Sequence, residues 1–147
     1  MIRIATAALA ALALAGCTDA SGDAPVFTPS SLPYPFSSAV AVDGVLYLSG
    51  EIGVLDDGRT LAPGGIEPET RQMFKRIGKS LAAHGLGFDD VFKCTVMLAD
   101  MRDWPAFNAI YAEHFRKGRY PARSAMGVNG LALGARVEME CWAWQGD

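Results

Sequence analysis

The chain has 147 residues, the size of one domain. Half of them are apolar and a fifth are charged, which excludes a disordered or collagen-like polymer. Thirteen basic residues stand against sixteen acidic ones, a net charge of −3, so broad electrostatic binding of nucleic acid, which needs clustered Lys and Arg, is not expected.

The N-terminus reads as a processing segment. Arg3 precedes an Ala/Leu-rich run from Ile4 to Ala15, too short to span a bilayer, which takes about 20 apolar residues. It has the layout of a secretory signal. The run ends in Leu14-Ala15-Gly16-Cys17, which resembles a bacterial lipobox; a plain signal peptide with a nearby cysteine is the alternative. Residues 1–16 are therefore expected to be removed as a lipoprotein signal peptide. Cys17 would be lipidated, and residues 17–31, rich in Ser, Gly, Asp, Pro and Thr, would form a flexible tether. The domain would then occupy 32–147, anchored in a bacterial cell envelope on the periplasmic side.

Within the domain, Ser38–Val42 and Val45–Leu48 flank Asp43-Gly44, a pair suited to a hairpin turn because both of its residues need positive φ. Residues 55–65, with Asp56, Asp57, Gly58, Pro63, Gly64 and Gly65, read as loop. Ile66, Thr70, Met73, Ile77 and Leu81 recur at helical spacing. Pro68 suits the first turn of that helix and Gly85 its end. Phe92–Leu98 reads as a strand. Asp103 is expected to cap a second helix, with Pro105 in its first turn and Phe107, Ile110, Tyr111 and Phe115 on its apolar face. Arg123–Val128 and Val137–Trp144 read as strands joined by a turn at 130–134. The last strand alternates Val137, Met139, Cys141 and Ala143 with Glu138, Glu140, Trp142 and Trp144.

The order β-β-α-β-α-β-β, with a hairpin at each end, specifies an α+β fold: a mixed sheet with two helices on one face. Two helices leave the second face uncovered, so packing against further copies is expected.

The usual catalytic motifs are missing: no Gly-rich phosphate loop with its Lys, no CxxC and no GxSxG. His84 and His114 are the only histidines and three cysteines are too few for a disulfide scaffold, so neither a hydrolytic triad nor a metal site is expected. Cys94 and Cys141 lie within strands, either as buried thiols or as a disulfide. Two polar features stand out: Arg123 at the start of a strand, and Glu138 and Glu140 on one face of another. Arg is suited to fork-like binding of a carboxylate, and a nearby Glu to holding a water. A structural Arg–Glu pair across the sheet would account for the same residues.

Several ordered segments resemble one family: Pro35-Phe36-Ser37-Ser38-Ala39-Val40, Leu46-Tyr47-Leu48-Ser49-Gly50-Glu51-Ile52-Gly53, Asp89–Val96, Phe107–Phe115, Pro121-Ala122-Arg123-Ser124 and Gly134–Glu140. Together they are similar to the reactive-intermediate deaminases, the Rid or YjgF/L-PSP-type family, over about residues 33–144. The resemblance implies a chorismate-mutase-like homotrimer with clefts between subunits. It also implies hydrolysis of 2-imino acids, or their enamine tautomers, to 2-oxo acids and ammonia, without metal or organic cofactor. Arg123 matches the arginine that grips the substrate carboxylate, and Glu138 the glutamate that orients water. Asn108 matches an asparagine near the site, and Ser49 and Gly50 match the loop lining the cleft. The chain departs from the pattern at Phe36, where many members have Tyr, at Ala125, often Cys, and at Glu51, often Gln. A non-catalytic trimeric module binding small carboxylates is the alternative. A ribonuclease, a label carried by some relatives, is disfavoured by the acidic chain without a basic aromatic platform.

Overall fold

Strict alternation in Val137–Trp144 puts that segment at the centre of the sheet. In the computed structural model, which describes residues 24–146, Val137, Met139, Cys141 and Ala143 are fully buried, and the residues between them face the other way. The described residues form seven strands: β1 (Val26–Pro29), β2 (Ser37–Val42), β3 (Val45–Leu48), β4 (Glu51–Ile52), β5 (Val91–Leu98), β6 (Ala122–Gly127) and β7 (Val137–Trp144), with helices α1 (Ile66–Ala82) and α2 (Trp104–Glu113). The sheet order is β1-β2-β3-β7-β5-β6, and β4 extends the β3 side of β7. All neighbours are antiparallel except β5 and β6, so the sheet is mixed, as the element order predicts. Both helices pack on one face. Met73, Phe74, Ile77 and Leu81 of α1 and Phe107, Ile110 and Tyr111 of α2 close a single core over the inward residues of the strands.

Local chemistry explains the sharpest features. Asp43 and Gly44 both have positive φ, 49° and 71°, the pair of values that a two-residue hairpin with the right-handed twist of its strands requires. Pro68 and the carboxylates of Glu67 and Glu69 occupy the first turn of α1, where a missing N–H costs nothing and negative charge meets the helix dipole. Glu69 is buried, and its carboxylate accepts the Arg136 backbone N–H at 2.9 Å. His114 stacks flat on Phe74, ring centroids 3.9 Å apart, and burial pushes its imidazole below the ordinary value. Cys94 and Cys141, directly opposed on β5 and β7 and fully buried, are joined by a disulfide.

Three expectations are corrected. Val26–Pro29, read as part of a tether, is an edge strand paired with β2 from Val26↔Ala41 to Pro29↔Ser37. Its proline falls at the strand end, where the ladder tolerates a missing donor. The C-terminal hairpin does not exist: β6 and β7 lie on opposite sides of β5, β6 in parallel register with it. Asp103 makes no capping bond; its carboxylate takes the Arg136 guanidinium at 2.9 Å, and Asp100 instead caps the preceding 3-10 turn through the Arg102 N–H. The signal peptide and Cys17 lie outside the described residues.

The far face of the sheet carries Tyr47, Lys93, Thr95, Met97, Glu140 and Trp142, and no described element of the chain covers it.

Gly53 fixes how close α1 can come to β4. A Cβ there would lie 2.7 Å from Glu69 Cα and 2.8 Å from its carbonyl carbon, both backbone atoms of α1. Gly53→Ala should therefore lose about 1–3 kcal/mol in urea unfolding. Gly87→Ala, with open space around its Cβ, should stay within about 0.5 kcal/mol; equal losses would refute the close-approach argument.

Candidate active site

Ile52 of β4 is the register partner of Glu138 on β7, which brings the Ser49-Gly50 turn over the Glu138 side chain. The Ser49 hydroxyl donates to the Ser37 carbonyl at 2.6 Å and its N–H to that of Ser38 at 3.1 Å, fastening the turn to β2. Gly50 is then pressed against the carboxylate. A Cβ there would sit 3.0 Å from Glu138 Cδ and overlap Oε1. The requirement at Gly50 is space, since its φ is not among the positive ones. This seat opens on a groove of about 750 Å³ whose lining includes Phe36, Ser49, Gly50, Glu51, Leu133 and Glu138. Phe36 stands on its rim, 44% exposed. Burial, then the charge of Glu140, then that of Glu51, push the Glu138 carboxyl above its ordinary value. The Glu51 carboxylate is held by Arg76 Nε at 2.6 Å, in a largely buried pair.

A second group of predicted residues assembles elsewhere. Arg123, beside Cys94 in the β5–β6 register, lies on the helix side of the sheet. Its guanidinium carbon is 4.2 Å from the Tyr111 ring centre and 4.7 Å from that of Trp104. Such packing over aromatic faces stabilises the cation. Its Nη1 is buried with no hydrogen-bond partner, as is the Tyr111 hydroxyl, and a donor left in that state demands an acceptor. Burial raises the Tyr111 phenol, and the Arg123 charge opposes that shift. Asn108 falls between Trp104 and Tyr111 on α2, on the helical stripe that faces Arg123. Ala125, two residues on from Arg123 and pairing Val96, is exposed on edge strand β6.

The two groups do not meet within one protomer. Glu138 pairs Met97 on the open face of β5, whereas Arg123 pairs the inward-facing Cys94. Arg123 is absent from the charges acting on Glu138. A structural Arg–Glu pair across the sheet is therefore excluded. Reading the sequence missed Trp104, Tyr111 and Arg76. The aromatics are helix residues whose spacing signals only an apolar stripe, and Arg76 lies 25 positions from the carboxylate it holds. His114 is stacked on Phe74, and His84 is tied between the Ser80 carbonyl at 2.8 Å and the Thr28 hydroxyl at 3.0 Å. Among the described residues no His, Cys, Asp and Glu side chains group as metal ligands.

The sequence profile of the family described as Endoribonuclease L-PSP matches residues 29–145. A mouse protein named 2-iminobutanoate/2-iminopropanoate deaminase is 45% identical over 112 residues, 76% of this chain and 82% of that protein. The human protein of the same name is 43% identical over the same length, covering 81% of its chain. Among solved structures, YyfA of Yersinia pestis, described as a member of the conserved Rid protein family, superposes with a TM-score of 0.76 at 34% identity, covering 82% of this chain and 99% of its own.

Gly50→Ala tests the seat. The overlap falls on the far end of a flexible side chain, so stability should stay within about 1 kcal/mol of the parent. The Glu138 carboxyl should be displaced, changing its midpoint in a carbon-detected NMR titration. An unchanged midpoint would show that the carboxylate does not rest on Gly50.

Proposed function

Since the chain belongs to the endoribonuclease L-PSP family, also called Rid or YjgF, we propose that it is an imine deaminase that hydrolyses 2-imino acids to 2-oxo acids and ammonia. The observation that carries this reading is Arg123: a guanidinium held over two aromatic rings, with a desolvated donor that lacks an acceptor. A planar carboxylate supplies that acceptor in a two-pronged, charge-assisted contact. The relatives named for deamination of 2-iminobutanoate and 2-iminopropanoate, small imino carboxylates, support the same chemistry.

The work divides between the two groups. Arg123 fixes the carboxylate, which sets the position of the adjacent imine carbon. Glu138 accepts a proton from a water as its oxygen forms a bond to that carbon. The carbinolamine then loses the nitrogen as the C–N bond breaks. Both protons of the water end on that nitrogen, so the products are ammonia and the 2-oxo acid. Raising the Glu138 carboxyl brings it closer to a pH at which it can both accept and return a proton.

Because Arg123 and Glu138 face opposite sides of one sheet, a working site needs two subunits. The proposed assembly is a homotrimer in which Arg123, Asn108 and Ala125 of one protomer meet Phe36, Ser49, Gly50 and Glu138 of the next. The uncovered sheet face, with Trp142, Tyr47 and Met97, supports the association. Arg123→Ala and Glu138→Gln should each abolish ammonia release from freshly generated 2-iminopropanoate. Hybrids of the two should regain about a quarter of wild-type activity, because one interface in four pairs both intact residues. Hybrids without any recovery would overturn the shared site, and a wild type that binds small carboxylates without turnover would favour a binding module.

We also propose that the protein is lipid-anchored at Cys17 outside the cytoplasm. Leu14-Ala15-Gly16-Cys17 supports this, as does the Cys94–Cys141 disulfide, a bond that persists in oxidising compartments. Wild type should fractionate with membranes, and Cys17→Ser should be released; identical partitioning into the soluble fraction would remove the anchor.

A further inference from the structure

Glu51, next to the Gly50 seat, does not stand alone. Its carboxylate is bound to Arg76 Nε at 2.6 Å, with side chains 19% and 24% exposed. The pair links β4 to the middle of α1. Glu51 immediately follows Gly50, the residue on which the Glu138 carboxylate rests. Both Glu51 and Arg76 line the groove into which Glu138 opens. Along β4, Glu51 pairs the inward-facing Met139 and Ile52 pairs Glu138, so the ion pair lies just behind the seat, on the helix side of the sheet.

We propose that the Glu51–Arg76 ion pair is a positioning element for Glu138, pinning the Ser49-Gly50 turn to α1 and offsetting part of the charge that Glu51 adds behind the carboxylate.

Two consequences follow from that arrangement. The first is mechanical. Ser49 fastens the turn to β2 through Ser37 and Ser38, and Arg76 fastens its other end to the helix. With both ends held, Gly50 cannot withdraw and the carboxylate keeps one orientation towards the groove. A partly buried, hydrogen-bonded pair is suited to this, because removing one partner leaves the other charged and desolvated. The second is electrostatic. The carboxylates acting on Glu138 are Glu140 on its own strand and Glu51 on β4. From α1, Arg76 acts through Glu51, and Lys75 and Lys79 line the same groove, as do Asp56 and Arg59 of the preceding loop. On the remaining sides β5 presents Met97, and the 132–134 turn presents Leu133. Arg76 is thus the cation bonded to one of the two carboxylates that act on Glu138.

The two partners should therefore move Glu138 in opposite directions. Arg76→Met exposes Glu138 to an uncancelled Glu51, and its protonation midpoint should rise by about half a pH unit or more. Glu51→Gln is isosteric and leaves Arg76 with an unopposed charge, so the midpoint should fall. The double variant Glu51→Gln/Arg76→Met restores neutrality, and the midpoint should return near the wild-type value. A packing role alone would lower stability without this reversal of sign.

The inference rests on the deaminase reading only in its kinetic arm. There the acid limb of the pH–kcat profile should follow the same order, with kcat reduced about tenfold in Arg76→Met and KM within about twofold. The independent arm is a carbon-detected NMR titration of Glu138 in the four full-length proteins, which needs no turnover. Midpoints displaced in opposite directions support the positioning role even if the wild type proves inactive, in which case only the deaminase reading falls. Midpoints that coincide in folded Glu51→Gln, Arg76→Met and wild type overturn the inference, even if the wild type deaminates its substrate. Should Arg76→Met fail to fold, Glu51→Gln decides alone: a lowered midpoint supports the proposal and an unmoved one rejects it.

Discussion

The alternation of β7 is the constraint from which the rest descends. A strand at the centre of a sheet has two faces and no freedom to exchange them, because a slip of one residue reverses every side chain. Val137, Met139, Cys141 and Ala143 must meet the helices, so Glu138 must point away from them. Once that is fixed, the carboxylate cannot be supported from the core. Its support comes from the neighbouring strand, through a turn that approaches closely only because residue 50 has no side chain. Core packing and the placement of the Glu138 carboxylate are thus one decision, taken by the period of a single strand.

The same period separates the two functional groups. Arg123 lies on the core side because its register partner Cys94 does, and the helix it meets there supplies the rings it rests over. A strongly hydrated cation would be costly beside a core; a guanidinium, weakly hydrated and planar, is tolerated against aromatic faces. That packing accounts for the choice of Arg at this position independently of any ligand. The sheet separates the guanidinium from the carboxylate as a wall would, and in the proposed assembly it is a neighbouring copy that brings the opposite faces together.

How much of this was legible in the chain depended on the range of the interactions. The Asp43-Gly44 turn, the first helix and the alternation of β7 rest on residues within a few positions of one another, and the structure reproduces them. The family likeness marked Glu138, Gly50 and Arg123, yet no local pattern said that Arg123 and Glu138 face apart, because that depends on which strands neighbour β5. The false hairpin between β6 and β7 has the same origin: adjacency in sequence was taken for adjacency in the sheet, while β6 pairs in parallel with β5. Strand β1 is hidden by composition, since Pro25, Thr28, Pro29, Ser30 and Ser31 are residues typical of loops and only pairing with β2 makes Val26–Pro29 a strand. Asp103 was a good cap by type, but Arg136 offered it a full charge in place of a backbone dipole.

Strand β1 also determines how the domain would answer a pull from upstream. The chain enters the sheet at its outer edge, at the rung Val26↔Ala41, and β1 is bonded on one side only. None of its four residues belongs to the core. Tension would therefore open rungs of that ladder first, against the bond between the Thr28 hydroxyl and His84 Nε2, and leave the helices and β7 undisturbed. These four residues are already extended, so opening the ladder frees a segment of about 13 Å to swing towards the pull without adding contour length. The edge strand would act as a short leash, giving way at the periphery before strain reaches the inner strands.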